Sequence, residues 1–294
     1  MDTETQLYEQ ETTGWQRGLY DDVKHTFRAP LVNWIFRTTI ANYPDFVRYA
    51  WAQVKPAFQT RQFGRTSVAY RDAMLSAVEA GPGLPAYRCD QLEVGPAEYG
   101  ELRGQLATYD VVAPRLAVLF ELIDRSVNGR SVGADPDQSR AATEPLPSWL
   151  DTDRGRPPTM VAFDEPPEAV AAVIEDVQTF HGLEDGLPSI YRTLAQWPGF
   201  FVPLWNDVEG VLRDDSFESG CADASAVVSE YVDSLPYVPQ LGPESLASQG
   251  LDDEAIADLQ ALFHEFNSGA IETVVPALPI YAATVDAAGE RTFR

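Results

Sequence analysis

An all-α fold is predicted by three observations. Apolar residues recur at helical spacing: in PDFVRYAWAQVKPAF, Phe46, Tyr49, Ala50 and Val54 fall on one stripe. No stretch alternates with period two for long, as a half-buried strand would. The chain also echoes itself, NWIFRTTIANYPDFVRYAW (33–51) matching LPSIYRTLAQWPGFFVPLW (187–205). Each has an aromatic-Arg-Thr triplet, an aromatic-Pro pair, a Phe two residues past the Pro and a Trp seven past it. The 294 residues therefore hold one helical unit twice.

Taken in order, the elements keep that register. The N-terminus, MDTETQLYEQET, is acidic and polar, without the basic start or apolar run of a signal peptide. DVKHTF (22–27) faces DVQTF (176–180) in the amphipathic run EPPEAVAAVIEDVQTF. Pro44 suits a first helical turn, where its missing N–H is no loss, and Pro198 opens the counterpart in the same way. Pro203 is expected to kink that second helix. WAQVKPAFQTRQF (51–63) faces WNDVEGVLRDDSF (205–217). Last, ELRGQLATYDVVAPRLAVLFELI (101–123) faces DLQALFHEFNSGAIETVVPALPI (258–280), setting Leu102, Tyr109 and Ala113 opposite Leu259, Phe266 and Ala270. Between the repeats, residues 126–168 are rich in Pro, Gly, Ser and Asp and read as a long linker. The expected organisation is a helical repeat over 1–125, a linker over 126–168 and a second repeat over 169–294. The two form a pseudo-dimer with a pocket between the halves.

Charge limits the partners. There are 45 Asp plus Glu against 21 Lys plus Arg, a net charge of −24, and the only lysines are Lys24 and Lys55. Such an acidic, lysine-poor surface fits the cytoplasm of a salt-in halophile of the haloarchaeal type, where molar salt shortens the Debye length to about 3 Å. Nucleic acid and membrane surfaces are poor partners, since nothing here neutralises a row of phosphates. No apolar run approaches the roughly 20 residues that span a bilayer.

Signature motifs are missing. Cys89, Cys221, His25, His181 and His264 are scattered singly, so no metal site is expected and the thiols read as free. GPGLPA (81–86) begins like a phosphate loop, but two prolines remove N–H donors and no strand precedes it. No GxSxG elbow occurs, and no cofactor is implied.

The duplicated helical plan, the Ser189-Ile190-Tyr191 segment followed by Trp197-Pro198, and Tyr109 followed by Pro114-Arg115 resemble the DehI family of group I 2-haloacid dehalogenases. The resemblance implies a homodimer, each chain with its active site between the halves. It implies hydrolysis of 2-haloalkanoic acids of either hand by direct attack of water, with inversion at the α-carbon. An Asp of the second repeat takes the water's proton and an Asn late in the first repeat holds it, while aromatic and apolar side chains cradle the substrate. Displacement at carbon needs that pair, because water is a weak nucleophile and must be aligned behind the C–X bond.

Carried onto this chain, the base position is Ile190, between Ser189 and Tyr191, and the water-holding position is Ala113. The early pocket aromatics fall on Leu31 and Trp34, and a late pocket Tyr falls on Glu265. An alkyl group can neither accept a proton nor orient water. Three readings follow. In the first, a hydrolase with a relocated base uses Asp110 or Glu265, with Glu184 and Asp185 as further candidates. Asp110 shares a helix face with Ala113, although its repeat partner Asn267 points to bridging or capping instead. In the second, the pocket binds a small carboxylic acid, halogenated or not, or an apolar ligand without turnover. N–H donors near Pro188-Ser189 would then face the anion. In the third, the fold is a dimeric partner-binding module with a packed interface between its halves.

Overall fold

A computed structural model describes residues 1–162, 166–183, 186–269 and 271–294. The described chain is helical, with no strand beyond an isolated bridge between Thr60 and Pro145. Five helices precede the connecting segment: α1 (Gly14–Phe27), α2 (Trp34–Asn42), α3 (Pro44–Val54), α4 (Arg61–Ala80) and α5 (Pro96–Val127). Seven follow it: α6 (Ala171–His181), α7 (Ser189–Leu194), α8 (Pro198–Leu212), α9 (Asp215–Asp233), α10 (Pro243–Ser248), α11 (Asp253–Ser268) and α12 (Ile271–Ala283).

Local chemistry sets the boundaries. The α4 N-cap is Thr60, whose hydroxyl accepts from the Phe63 N–H at 3.1 Å. Asp214 and Asp252 cap α9 and α11 through the Ser216 and Ala255 N–H groups, each at 2.9 Å. Such caps satisfy donors that the first helical turn leaves orphaned. Pro44 and Pro198 sit in the first turns of α3 and α8. Pro203 lies inside α8, which is helical from Pro198 to Leu212. Pro114 likewise lies inside the 32-residue α5, a rod of about 48 Å.

Helix α5 is the axis of the core. It packs against α4 and α9, and against α11 and α12. Its residues Leu102, Leu106, Val112, Val118 and Leu122 are fully buried. Helices α4 and α9 lie along one another. At their crossing a side chain at Gly220 would come within 3.0 Å of the Ala77 methyl, so glycine is what allows that closeness.

The connecting segment is pinned rather than loose. Arg28, at the end of α1, donates to the carbonyls of Pro147 and Leu150. Arg61 N–H meets the Glu144 carbonyl and Leu146 N–H the Gln59 carbonyl, both at 2.7 Å. Leu150 and Asp151 are buried. No described helix is long and apolar enough to cross a membrane.

Candidate active site

A cavity of about 720 Å³ opens where the first turns of α2 and α7 meet α5, α11 and α12. Asn33, Trp34, Ile35 and Arg37 line one side. Pro188, Ser189, Ile190 and Arg192, each 155 positions later, line another. Tyr109, Leu116 and Phe120 come from one face of α5, Phe266 from α11, and Ile271, Val274, Val275 and Leu278 from α12. Residues Thr3, Glu4 and Gln6 of the N-terminal segment complete the rim.

The wall is apolar and aromatic. Trp34 stacks on Phe266, with centroids 5.0 Å apart and planes 11° from parallel. Phe120 meets Phe266 in a tilted contact, with centroids 5.2 Å apart. Tyr109 is fully buried, and its hydroxyl lies 2.8 Å from the Thr193 hydroxyl. Thr193 gives its own proton to the Thr159 carbonyl, so Tyr109 must be the donor between the two. The Tyr109–Thr193 bond ties α7 to α5.

Two guanidiniums face this apolar space. Arg37 gives its Nε–H to Gln6 at 3.1 Å and one Nη to the Val32 carbonyl at 2.8 Å. Arg192 gives its Nε–H to the Val161 carbonyl at 3.0 Å. No described carboxylate pairs with either, although acids outnumber bases by 45 to 21. Burial pulls the Arg37 guanidinium below its ordinary range, and the charge of Arg192 adds to the effect.

The sequence-derived candidates divide between this cavity and its surroundings. Trp34, Ser189 and Ile190 line it. Leu31 is core, just ahead of α2 and away from the lining. Ala113 is fully buried on the α5 stripe between Tyr109 and Leu116, beneath the lining. Tyr191 turns away into a buried chain, its hydroxyl 2.8 Å from that of Tyr281 and bonded to His181 Nε2. Glu265 is exposed and absent from the lining, where the next residue, Phe266, supplies the aromatic surface. Glu184 and Asp185 lie outside the described residues.

Asp110 stands in a different environment from a cavity base. Its two oxygens accept from Arg71 Nε at 2.7 and 3.0 Å, from Arg154 at 3.0 Å and from the Gly289 N–H at 3.0 Å. Asp151 joins the cluster, bonded to Arg115 and Arg154, each at 3.0 Å. Burial alone would raise the Asp151 carboxyl, but Arg115, Arg71 and Arg154 outweigh it and hold it at about 2. Asp110, Asp151, Arg71 and Arg115 are all buried, and the cluster fastens α4, α5, the connecting segment and the C-terminal residues together. Asn267 bridges α11 to α5 through Glu121 and Asp124, at 2.7 and 2.9 Å. The arginines of the cavity were visible as the repeated aromatic-Arg-Thr triplet, but only the fold shows them sharing one space.

Comparisons with known proteins agree with this architecture. The family model described as halocarboxylic acid dehydrogenase DehI matches residues 30–166. An (R)-2-haloacid dehalogenase of Rhizobium sp. (strain NHG3) is 26% identical over 212 residues, spanning 71% of this chain and 79% of that protein. The structure of a D-2-haloacid dehalogenase with L-LA superposes with a TM-score of 0.82 at 20% identity, over 95% of both chains. A mutant D-2-haloacid dehalogenase in complex with D-2-CPA gives a TM-score of 0.81 at 20% identity, over 95% of this chain and 94% of that one. Family match, relative and shared fold converge: residues 30–166 match the DehI family model, the chain is similar to a 2-haloacid dehalogenase, and it shares the fold of the D-2-haloacid dehalogenases.

Proposed function

We propose that the cavity binds a small 2-substituted carboxylic acid, with Arg37 and Arg192 receiving its carboxylate, and that this chain does not hydrolyse the ligand by the route the family resemblance implies. The observation that carries the reading is the pair of un-neutralised guanidiniums over an apolar, aromatic wall. A guanidinium held in a low-dielectric site favours an anion strongly and receives a carboxylate through two parallel hydrogen bonds. The substituent and alkyl part of the acid would lie against Trp34, Ile190, Phe120 and Phe266. Relatives named as 2-haloacid dehalogenases act on acids of that shape.

Hydrolysis by water attack needs a base within hydrogen-bond reach of that water. Ile190, at the position the resemblance assigns to the base, lines the cavity, and Ala113, at the position it assigns to holding water, is buried outside the lining. Among the described lining residues Glu4 alone carries a carboxylate, and it is exposed on the N-terminal rim. That favours one second reading, a hydrolase whose base is Glu4.

The test is calorimetric titration with D- and L-2-chloropropionate, together with halide release, in molar KCl. The expected result is saturable binding, weakened about tenfold or more by Arg37→Gln or Arg192→Gln, with no release above the uncatalysed rate. Release that Glu4→Gln abolishes would establish the second reading. Unchanged affinity in both arginine variants would overturn the first.

A further inference from the structure

The two arginines of the cavity are held alike, with one difference between them. In each half an extended segment outside the helices lies against the arginine's helix. Leu7 N–H donates to the Arg37 carbonyl and Val161 N–H to the Arg192 carbonyl, each at 3.1 Å. Val161 and Arg192 stand 154 and 155 positions after Leu7 and Arg37, so these contacts belong to the internal repeat. The same segment also captures the arginine's Nε–H. For Arg192 the acceptor is the Val161 carbonyl at 3.0 Å, whereas for Arg37 it is the Gln6 side chain at 3.1 Å.

That exchange changes the chemistry offered to a ligand. A backbone carbonyl only accepts, but a carboxamide carries an acceptor and two N–H donors on one carbon. An arginine only donates, so Gln6 must turn Oε1 toward Arg37, which fixes the amide's orientation. Gln6 lines the cavity, and its Nε2 has no hydrogen-bond partner among the described residues. Arg37 gives Nε to Gln6 and Nη1 to the Val32 carbonyl, which leaves Nη2 unpartnered as well. Neither atom is sealed from solvent, in contrast to the unpartnered Arg71 Nη2 and Arg115 Nε of the buried cluster.

The segment that carries Gln6 is fastened on both sides of it. Asp2 N–H donates to Asn42 Oδ1 at 3.0 Å, and Asn42 Nδ2 returns a bond to the Asp2 carbonyl at 2.8 Å. The Tyr20 hydroxyl donates to the Leu7 carbonyl at 2.8 Å, and the Tyr8 ring lies 5.3 Å from the Arg37 guanidinium. The neutrality of Gln6 matters too. A glutamate in its place would form an ion pair with Arg37 and close it to an incoming anion.

We propose that Gln6 is a ligand-binding residue of this cavity, its Nε2 donating to the acid's carboxylate beside Arg37 Nη2. This rests on the carboxylate reading above and adds to it a neutral donor supplied by the N-terminal segment.

The test is calorimetric titration of 2-chloropropionate into the full-length protein and its variants. Gln6→Leu, which loses the donor, should bind about tenfold more weakly. Gln6→Glu keeps an acceptor for the Arg37 Nε–H, so it should melt no lower than the parent, yet bind about tenfold or more weakly because its charge occupies Arg37. In proton–nitrogen correlation spectra of the parent, the side-chain amide pair that is missing from Gln6→Leu should shift when the acid is added. A Gln6 that only anchors the segment would leave that pair unmoved and let Gln6→Glu bind like the parent, and either result overturns the proposal. Weakened binding in Arg37→Gln with unchanged affinity in both Gln6 variants overturns it alone. A parent that binds neither enantiomer overturns it together with the carboxylate reading.

Discussion

Replacing Asp110 by Asn separates a structural carboxylate from a catalytic one. In the parent, the Asp110 oxygens take two contacts from Arg71 Nε, one from Arg154 and one from the Gly289 N–H. Arg71 is itself fully buried, so the Asp110→Asn change would leave its guanidinium with a neutral amide and, at 3.7 Å, the already shared Asp151. Breaking one side of a buried pair costs about 3–5 kcal/mol, because the surviving charge stays out of water. For 294 residues the entropy of unfolding near the midpoint is about 0.6 kcal/mol per degree, so Tm should fall by about 5–8 °C. The loss should persist in molar salt, since ions screen poorly a pair such as Arg71 and Asp110 that has no solvent contact. Removing both charges, as Arg71→Met with Asp110→Leu, should cost less than Asp110→Asn alone. Differential scanning calorimetry at low and high KCl measures all of this. An Asp110→Asn protein that melts with the parent but loses ligand turnover would refute the structural assignment.

Two further outcomes follow from the same geometry. His181 is buried, with Nδ1 2.7 Å from the Thr273 hydroxyl and Nε2 bonded to Tyr191, and burial lowers its pKa to about 4 from 6.5. Its unfolded form binds the extra proton first, so the stability it contributes is complete above pH 6.5 and is lost as pH falls toward 4, by about 3 kcal/mol in all; urea titrations of His181→Gln should show a flatter limb over that window. Ile190→Asp should weaken binding of 2-chloropropionate in the calorimeter severalfold, because the new carboxylate competes for the cavity's guanidiniums.

Helical content and order were legible because they rest on local signals. The stripe in α3, the prolines opening α3 and α8, and the Thr60, Asp214 and Asp252 caps each act within one or two turns. The cavity was legible in part. Trp34, Ser189 and Ile190 reach it because the first turns of α2 and α7 point there. Glu265 missed it by one residue, which on a helix is a rotation of about 100° and moves a side chain from wall to solvent. Asp110 was hidden for a different reason. Its partners come from residues 71, 154 and 289, and no local pattern announces a charge cluster assembled across such distances.

Binding and turnover place unequal demands on a site. A carboxylate anchor needs fixed positive charge beside apolar surface, and the one proposed above would draw on two arginines and several aromatic rings spread over four helices. Turnover hangs on one base within about 3 Å of one water. A single side chain can therefore remove the second function and leave the first intact. If Ile190 stands where the family resemblance puts a base, it would do more than omit one. It shares the cavity lining with Arg37 and Arg192, and in that position a carboxylate would draw a guanidinium onto itself. Each charge would then neutralise the other, the acid's pKa would fall and its power as a base with it. An alkyl group at 190 keeps both cations open to an incoming anion. On the reading proposed above, the alkyl side chain of Ile190 and the two arginines without a carboxylate partner belong together, in a pocket that would hold an acid rather than hydrolyse it.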